Sequence, residues 1–161
     1  SLVNECLENV YSQGKKMMEA AKTENEYQEA ADVFKTISDY KDAGTLANKC
    51  SEARKDTILL QAKKRMEVND IGSYRMAMSL LVLIKGWKDA DEMYECAEHR
   101  IKVLEEKKLE RKRLEEEERL KQKRQFEKEH WKNHYLCQYC GGSFKGLIKK
   151  TCTSCGKSKD Y

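Results

Sequence analysis

The chain has 161 residues, of which 39% are hydrophobic and 37% charged, and it has no proline. So much charge beside so little apolar matter excludes one large compact core. No apolar run reaches the 18 residues or so that a membrane-crossing helix needs. The net charge of +4 is uneven: residues 119–161 carry 11 Lys/Arg against 3 Asp/Glu, a balance of +8, which leaves −4 for residues 1–118. The basic end points to a weak attraction for polyanions such as nucleic acid. No signal peptide is visible, and the chain opens on Ser1 and not on Met, as a trimmed chain would. With two CxxC pairs, this favours a reducing, cytoplasmic setting.

Absent proline and sparse Val, Ile and Thr predict helices. The first runs from about Val3 to Lys22. Thr23, with Glu26 three residues on, forms a capping box for a second helix that ends near Ile37. A third runs from about Tyr40 to Val68, Asn69-Asp70 breaks it, and a fourth spans Ile71 to Lys85. A fifth starts near Trp87 and continues to about Trp131. Asp42 and Asp89 are expected in the first turns of helices three and five, where negative charge suits the helix dipole.

A repeat of 47 residues organises the first hundred positions. Tyr27 meets Tyr74, Ala30 meets Ala77, Phe34 meets Leu81, Ile37 meets Ile84, Tyr40 meets Trp87, and Lys41-Asp42-Ala43 meets Lys88-Asp89-Ala90. Cys50 and Cys96 nearly coincide, with a slip of one. Positions 27, 30, 34 and 37 share one helix face, as do 74, 77, 81 and 84; these are core positions, so a binding surface must lie on the outward faces. The segments YQEAADVFKTISDYKDA (27–43) and, more loosely, YRMAMSLLVLIKGWKDA (74–90) resemble the tetratricopeptide-like helical-hairpin repeats of many bacterial proteins, often joined there to a zinc ribbon. That resemblance implies a protein-binding scaffold and supplies no catalytic residues. The period departs from the tetratricopeptide length of about 34.

From Ile101 to Gln125 the chain is almost wholly Glu, Lys and Arg. Glu115–Arg119 and Glu117–Lys121 are i,i+4 pairs, and Glu105–Lys108 and Glu110–Arg113 are i,i+3 pairs, each worth about 0.2–0.5 kcal/mol. Leucines at 104, 109, 114 and 120 keep no heptad seam, so a solvated single helix is favoured over a coiled coil. A straight helix from Trp87 to Trp131 would extend about 67 Å, a spacer between the repeats and the tail.

The tail carries Cys137-Gln-Tyr-Cys140 and, eleven residues later, Cys152-Thr-Ser-Cys155. Each CxxC turns two sulfurs toward one point, and two such pairs complete a tetrahedral S4 site for one structural zinc ion. Gly141 and Gly156 follow the second cysteine of each pair, where a left-handed turn is needed. Lys-Lys-Thr before Cys152 can supply a strand. The apolar residues nearby, among them Leu136, Tyr139, Phe144, Leu147 and Ile148, are too few to order this segment unaided. Disulfides, an iron–sulfur cluster or a redox role are the alternatives. His130 and His134 stand four apart, but Trp131 occupies the place where an HExxH motif needs glutamate, and they are read as solvent-facing. Cys6, Cys50 and Cys96 are read as small buried hydrophobes.

The sequence thus predicts all-α helical-hairpin repeats, tetratricopeptide-like, over 1–100. A charged helical linker follows over 101–133, and a zinc ribbon over 134–161. No phosphate loop, GxGxxG or GxSxG element is present, and an enzyme is not expected. The favoured function is a protein–protein scaffold with structural zinc. The alternative is nucleic-acid binding through the basic tail, with Arg124, Lys145, Lys149 and Lys150 supplying charge and Tyr139 and Phe144 stacking. Against the alternative stands the expectation that those aromatics are needed inside the ribbon.

Overall fold

A computed structural model describes residues 2–147 and 150–159. Among these are five helices, α1 (Leu2–Ala20), α2 (Glu24–Lys35), α3 (Ala43–Glu67), α4 (Ile71–Val82) and α5 (Ala90–Asn133), and two short strands, β1 (Phe144–Lys145) and β2 (Thr151–Cys152). Contacts divide the chain into two compact units, Ser1–Glu105 and Glu106–Tyr161. Among the described residues, no helix is long and apolar enough to cross a membrane.

In the first unit, α1 packs on α2, α2 on α3 and α3 on α4. Local chemistry starts each short helix. Thr23 accepts from the Glu26 backbone N–H, and the Glu26 carboxylate accepts from the backbone N–H of Thr23, closing the predicted capping box. Forty-seven residues on, Asp70 caps α4 by accepting from the Ser73 N–H at 2.9 Å. Asn69 just before it takes φ 59°, a left-handed conformation that asparagine tolerates.

The 47-residue spacing holds in three dimensions. Both bounds of α2 map onto those of α4, the start of α3 maps onto the start of α5, and Lys41 and Lys88 share a left-handed φ of 50° and 48°. Buried positions follow the same register. Ala30, Phe34, Ile37, Ala43 and Cys50 lie in one cluster with Tyr11 and Leu46. Ala77, Leu81, Ile84 and Ala90 lie in a second with Ile58, Leu59 and Ala62, against which Trp87, Met93 and Tyr94 pack. Each helix corner is fastened alike. The Tyr40 hydroxyl donates to Glu8 at 2.6 Å and the Lys41 ammonium pairs with the same carboxylate. The Trp87 indole N–H and the Lys88 ammonium both reach Asp56, at 2.8 and 2.5 Å.

Several expectations need correction. Asp42 and Asp89 stand just before the helices and not in their first turns, because the residues ahead of them form a turn that delays the helix start. Asp42 accepts instead from the Tyr11 hydroxyl at 2.5 Å, which holds its carboxyl below the usual range, and Asp89 pairs with Lys63 at 3.0 Å. Cys50 is buried, and burial pushes its thiol up. Cys6 and Cys96 are exposed; for Cys96 the register gives Cys50 the partner Ala97, which is buried, and one residue is about 100° around a helix. On the charged helix Glu110–Arg113 and Glu117–Lys121 form at 2.7 and 2.9 Å as predicted. Arg119, however, takes Glu116 at 2.6 Å, Glu115 turns to Arg111, and Glu105 reaches Arg75 on α4 at 3.0 Å.

Gly14 gives a sharp test of the first core. A Cβ there would sit 2.8 Å from the ring of the fully buried Phe34. Gly14→Ala gains about 1 kcal/mol of helix propensity and incurs about 1–3 kcal/mol of overpacking. A lower urea midpoint by circular dichroism is the expected result, with Phe34→Ala costing about 3–5 kcal/mol in the same assay. A midpoint raised by Gly14→Ala would refute this packing.

Candidate metal centre

In the second unit the chain leaves α5 through a turn at Tyr135, whose φ is 58°, and folds into two knuckles of the same design. The backbone N–H of Gly141 donates to the Cys137 carbonyl at 2.7 Å, and that of Gly156 to the Cys152 carbonyl at 3.0 Å. The Cys137 N–H donates to the Gly142 carbonyl and the Cys152 N–H to the Lys157 carbonyl, at 2.9 and 3.0 Å. Gly141 and Gly156 take φ of 70° and 69°, the left-handed region that favours glycine. A shift of 15 residues therefore carries one knuckle onto the other. Antiparallel pairing of Phe144 with Cys152 and Lys145 with Thr151 ties them together. The predicted strand before Cys152 is present at Thr151, while Lys149 and Ile148 lie outside the described residues.

The four predicted residues Cys137, Cys140, Cys152 and Cys155 come together, with all four sulfurs within 4.8 Å of one another. Cys137 Sγ lies 3.6 Å from Cys155 Sγ, and Cys140 Sγ lies 3.5 Å from Cys152 Sγ. A disulfide needs about 2.05 Å. Two sulfurs each about 2.3 Å from one zinc, at the tetrahedral angle, are about 3.8 Å apart. The donor set thus fits one soft divalent ion such as zinc. Cys137 and Cys152 are buried, whereas Cys140 and Cys155 face solvent.

Electrostatics favour a cation at this point. The backbone N–H of Cys155, then that of Ser154, pulls the Cys152 thiol down to about 6 against desolvation. At Cys140 the N–H of Gly142 acts in the same sense, but the sulfurs of Cys152, Cys155 and Cys137 outweigh it and push that thiol up to about 12. One sulfur ionises readily and its neighbour resists, which is how crowded acids behave until positive charge joins them.

The surroundings are tight on one side only. A Cβ on Gly142 would meet Ser154 Oγ at 2.6 Å and Cys152 Sγ at 3.0 Å, and one on Gly141 would meet Trp131 Nε1 at 2.7 Å, whereas Gly156 faces open space. Gly142 is a residue that spacing alone does not single out, since it stands outside both CxxC pairs. His130 and His134 stay apart from the sulfurs: their rings stack at 4.1 Å, and the His134 Nδ1–H donates to the His130 carbonyl at 2.9 Å. Among the described residues, the four cysteines are the one group of side chains able to hold a metal.

The expected ribbon interior forms only in part: Leu136 and Phe144 are half-buried, while other apolar side chains face solvent. Tyr139 is 67% exposed, Tyr135 78% and Leu147 99%, and in this module only the sulfurs of Cys137 and Cys152 are buried hydrophobic groups among the described residues. The turns that aim the sulfurs inward turn these rings outward. No family model matches the chain, and comparison with curated proteins and with solved structures gave no match.

Elemental analysis of reduced protein is expected to find one zinc per chain. Cys152→Ser should abolish it and unfold residues 134–159 while the helical signal of the chain persists. In chelator competition Gly142→Ala should release zinc more readily than Gly156→Ala, since only the former drives a methyl into a ligand sulfur. The reverse order would contradict the geometry.

Proposed function

We propose that this chain is a non-enzymatic binding protein, in which tetratricopeptide-like hairpins offer a surface to a protein partner and a zinc-ribbon module is ordered by one structural zinc ion on Cys137, Cys140, Cys152 and Cys155. Four sulfur ligands close the coordination sphere, and a closed sphere leaves no position for a reacting water. A structural ion is also what so small a module requires, because its buried groups amount to little more than the ligands themselves.

The observation that carries the scaffold reading is a difference between the two repeats. On the outward side of α2 and its C-cap, Glu29 and Thr36 are two of the exposed positions. Their counterparts on α4, 47 residues on, are Met76 and Leu83, which are 56% and 59% exposed and stand seven apart on one stripe with the half-buried Leu80 between them. Val82, also exposed, replaces Lys35 nearby. Apolar groups held in water on a helix whose counterpart carries polar ones favour a surface that another protein covers.

The double variant Met76→Glu with Leu83→Thr gives α4 the outward chemistry of α2. It is expected to keep the thermal midpoint within about 1 kcal/mol of the parent, as surface changes do, and to lose partners captured by site-specific crosslinking at position 80. Unchanged capture by the double variant would refute the assignment of this face.

A further inference from the structure

We infer that a groove on the C-terminal module, floored by Cys137, is a stacking site for single-stranded nucleic acid. The groove has a volume of about 360 Å³ and is lined among others by Lys128, Gln138, Tyr139, Phe144, Ser158 and Lys159. Two ammonium groups and no carboxylate line it among the described residues. Two flat rings set beside two ammonium groups and an amide match a nucleotide in kind: a π-face for the base, donors for its edge, cations for its phosphate.

Folding buries neither ring completely. A module with a hydrocarbon core would spend Tyr139 and Phe144 on its interior, but here Tyr139 projects into solvent and Phe144 is only half-buried. Lysines already sit near the ring faces. Lys157 Nζ lies 3.8 Å from the Tyr139 centroid, and Lys159 Nζ lies 5.4 Å from those of both Tyr135 and Phe144. The same stretch of chain, residues 119–161, carries +8 from its side chains. Four thiolates and one zinc ion lower that by two to about +6, still strongly attractive to a polyanion.

Two other polyanions fit less well. A duplex hides its base faces, so the exposed rings would have nothing to stack on. An acidic peptide would pair with the lysines and leave Tyr139 and Phe144 without a matching surface. The inference rests on the zinc-ordered module, because Cys137 forms part of the groove.

Fluorescence anisotropy of a labelled oligothymidylate of 15 nucleotides, titrated with the full zinc-loaded chain, tests it, with zinc content measured on every sample. At 20 mM salt the expected Kd is about 1–100 µM, and log K should fall against log salt with a slope of roughly −2 to −4. Tyr139→Ala, at an exposed position, should weaken binding about tenfold with zinc retained. Tyr139→Phe should bind like the parent, and Lys128→Glu with Lys159→Glu should weaken binding and flatten the salt slope by about 1.4 or more. A zinc-loaded chain that ignores the oligonucleotide, binds it equally well after Tyr139→Ala, or binds blunt duplex or polyglutamate as tightly, overturns the inference and leaves the metal reading standing. A chain without zinc overturns both.

Discussion

Four sulfur atoms held within 4.8 Å of one another set the terms for the C-terminal module. Backbone N–H groups pull the Cys152 thiol down, while the neighbouring sulfurs push that of Cys140 up. A divalent ion at the shared point would resolve that conflict and stand in for the hydrocarbon core that the module lacks. The two knuckles, alike under a shift of 15 residues down to their glycine turns, do nothing else so directly as present sulfur. An ion that ordered the module would release the side chains around the ligands from core duty. Tyr135, Tyr139 and Leu147 stand in solvent.

The helical unit is governed by a different constraint, the packing of short helices against long ones at a fixed 47-residue register. Small residues (Ala30, Ala77, Ala43, Ala90) sit where backbones approach, and one large residue per repeat, Phe34 or Leu81, fills the space between them. The corners repeat as well, each with an aromatic and a lysine reaching back to a carboxylate on the long helix before it, Glu8 or Asp56. These polar ties are solvent-exposed and contribute little stability individually. They fix the direction in which each new helix leaves the corner. With the inner faces so constrained, difference is confined to the outer ones, and there α2 and α4 part company.

Much of this was legible in the residues. The Thr23–Glu26 box, the Asn69-Asp70 break, the buried stripe at 27, 30, 34 and 37 (with Tyr27 only half-buried) and the sulfur cluster all follow from local chemistry with few competing solutions. What was not legible depends on rotation and on choice. A slip of one residue in aligning Cys96 with Cys50 turns a side chain by about 100° and moves it from core to solvent. In a helix crowded with Glu and Arg each guanidinium has several carboxylates within reach, so spacing cannot tell Arg119–Glu116 from Arg119–Glu115. Composition suggested that scarce aromatics would be spent inside the module, but the orientation of the turns leaves Tyr139 in solvent and Phe144 half-buried.

X-ray absorption at the zinc edge of the purified, reduced chain measures the central claim directly, since it counts the atoms around the ion. A single shell of four sulfurs at about 2.3 Å is the result this account requires. A shell containing nitrogen or oxygen, with His130 or His134 or water in place of a thiolate, or a preparation with no bound metal to observe, would contradict it.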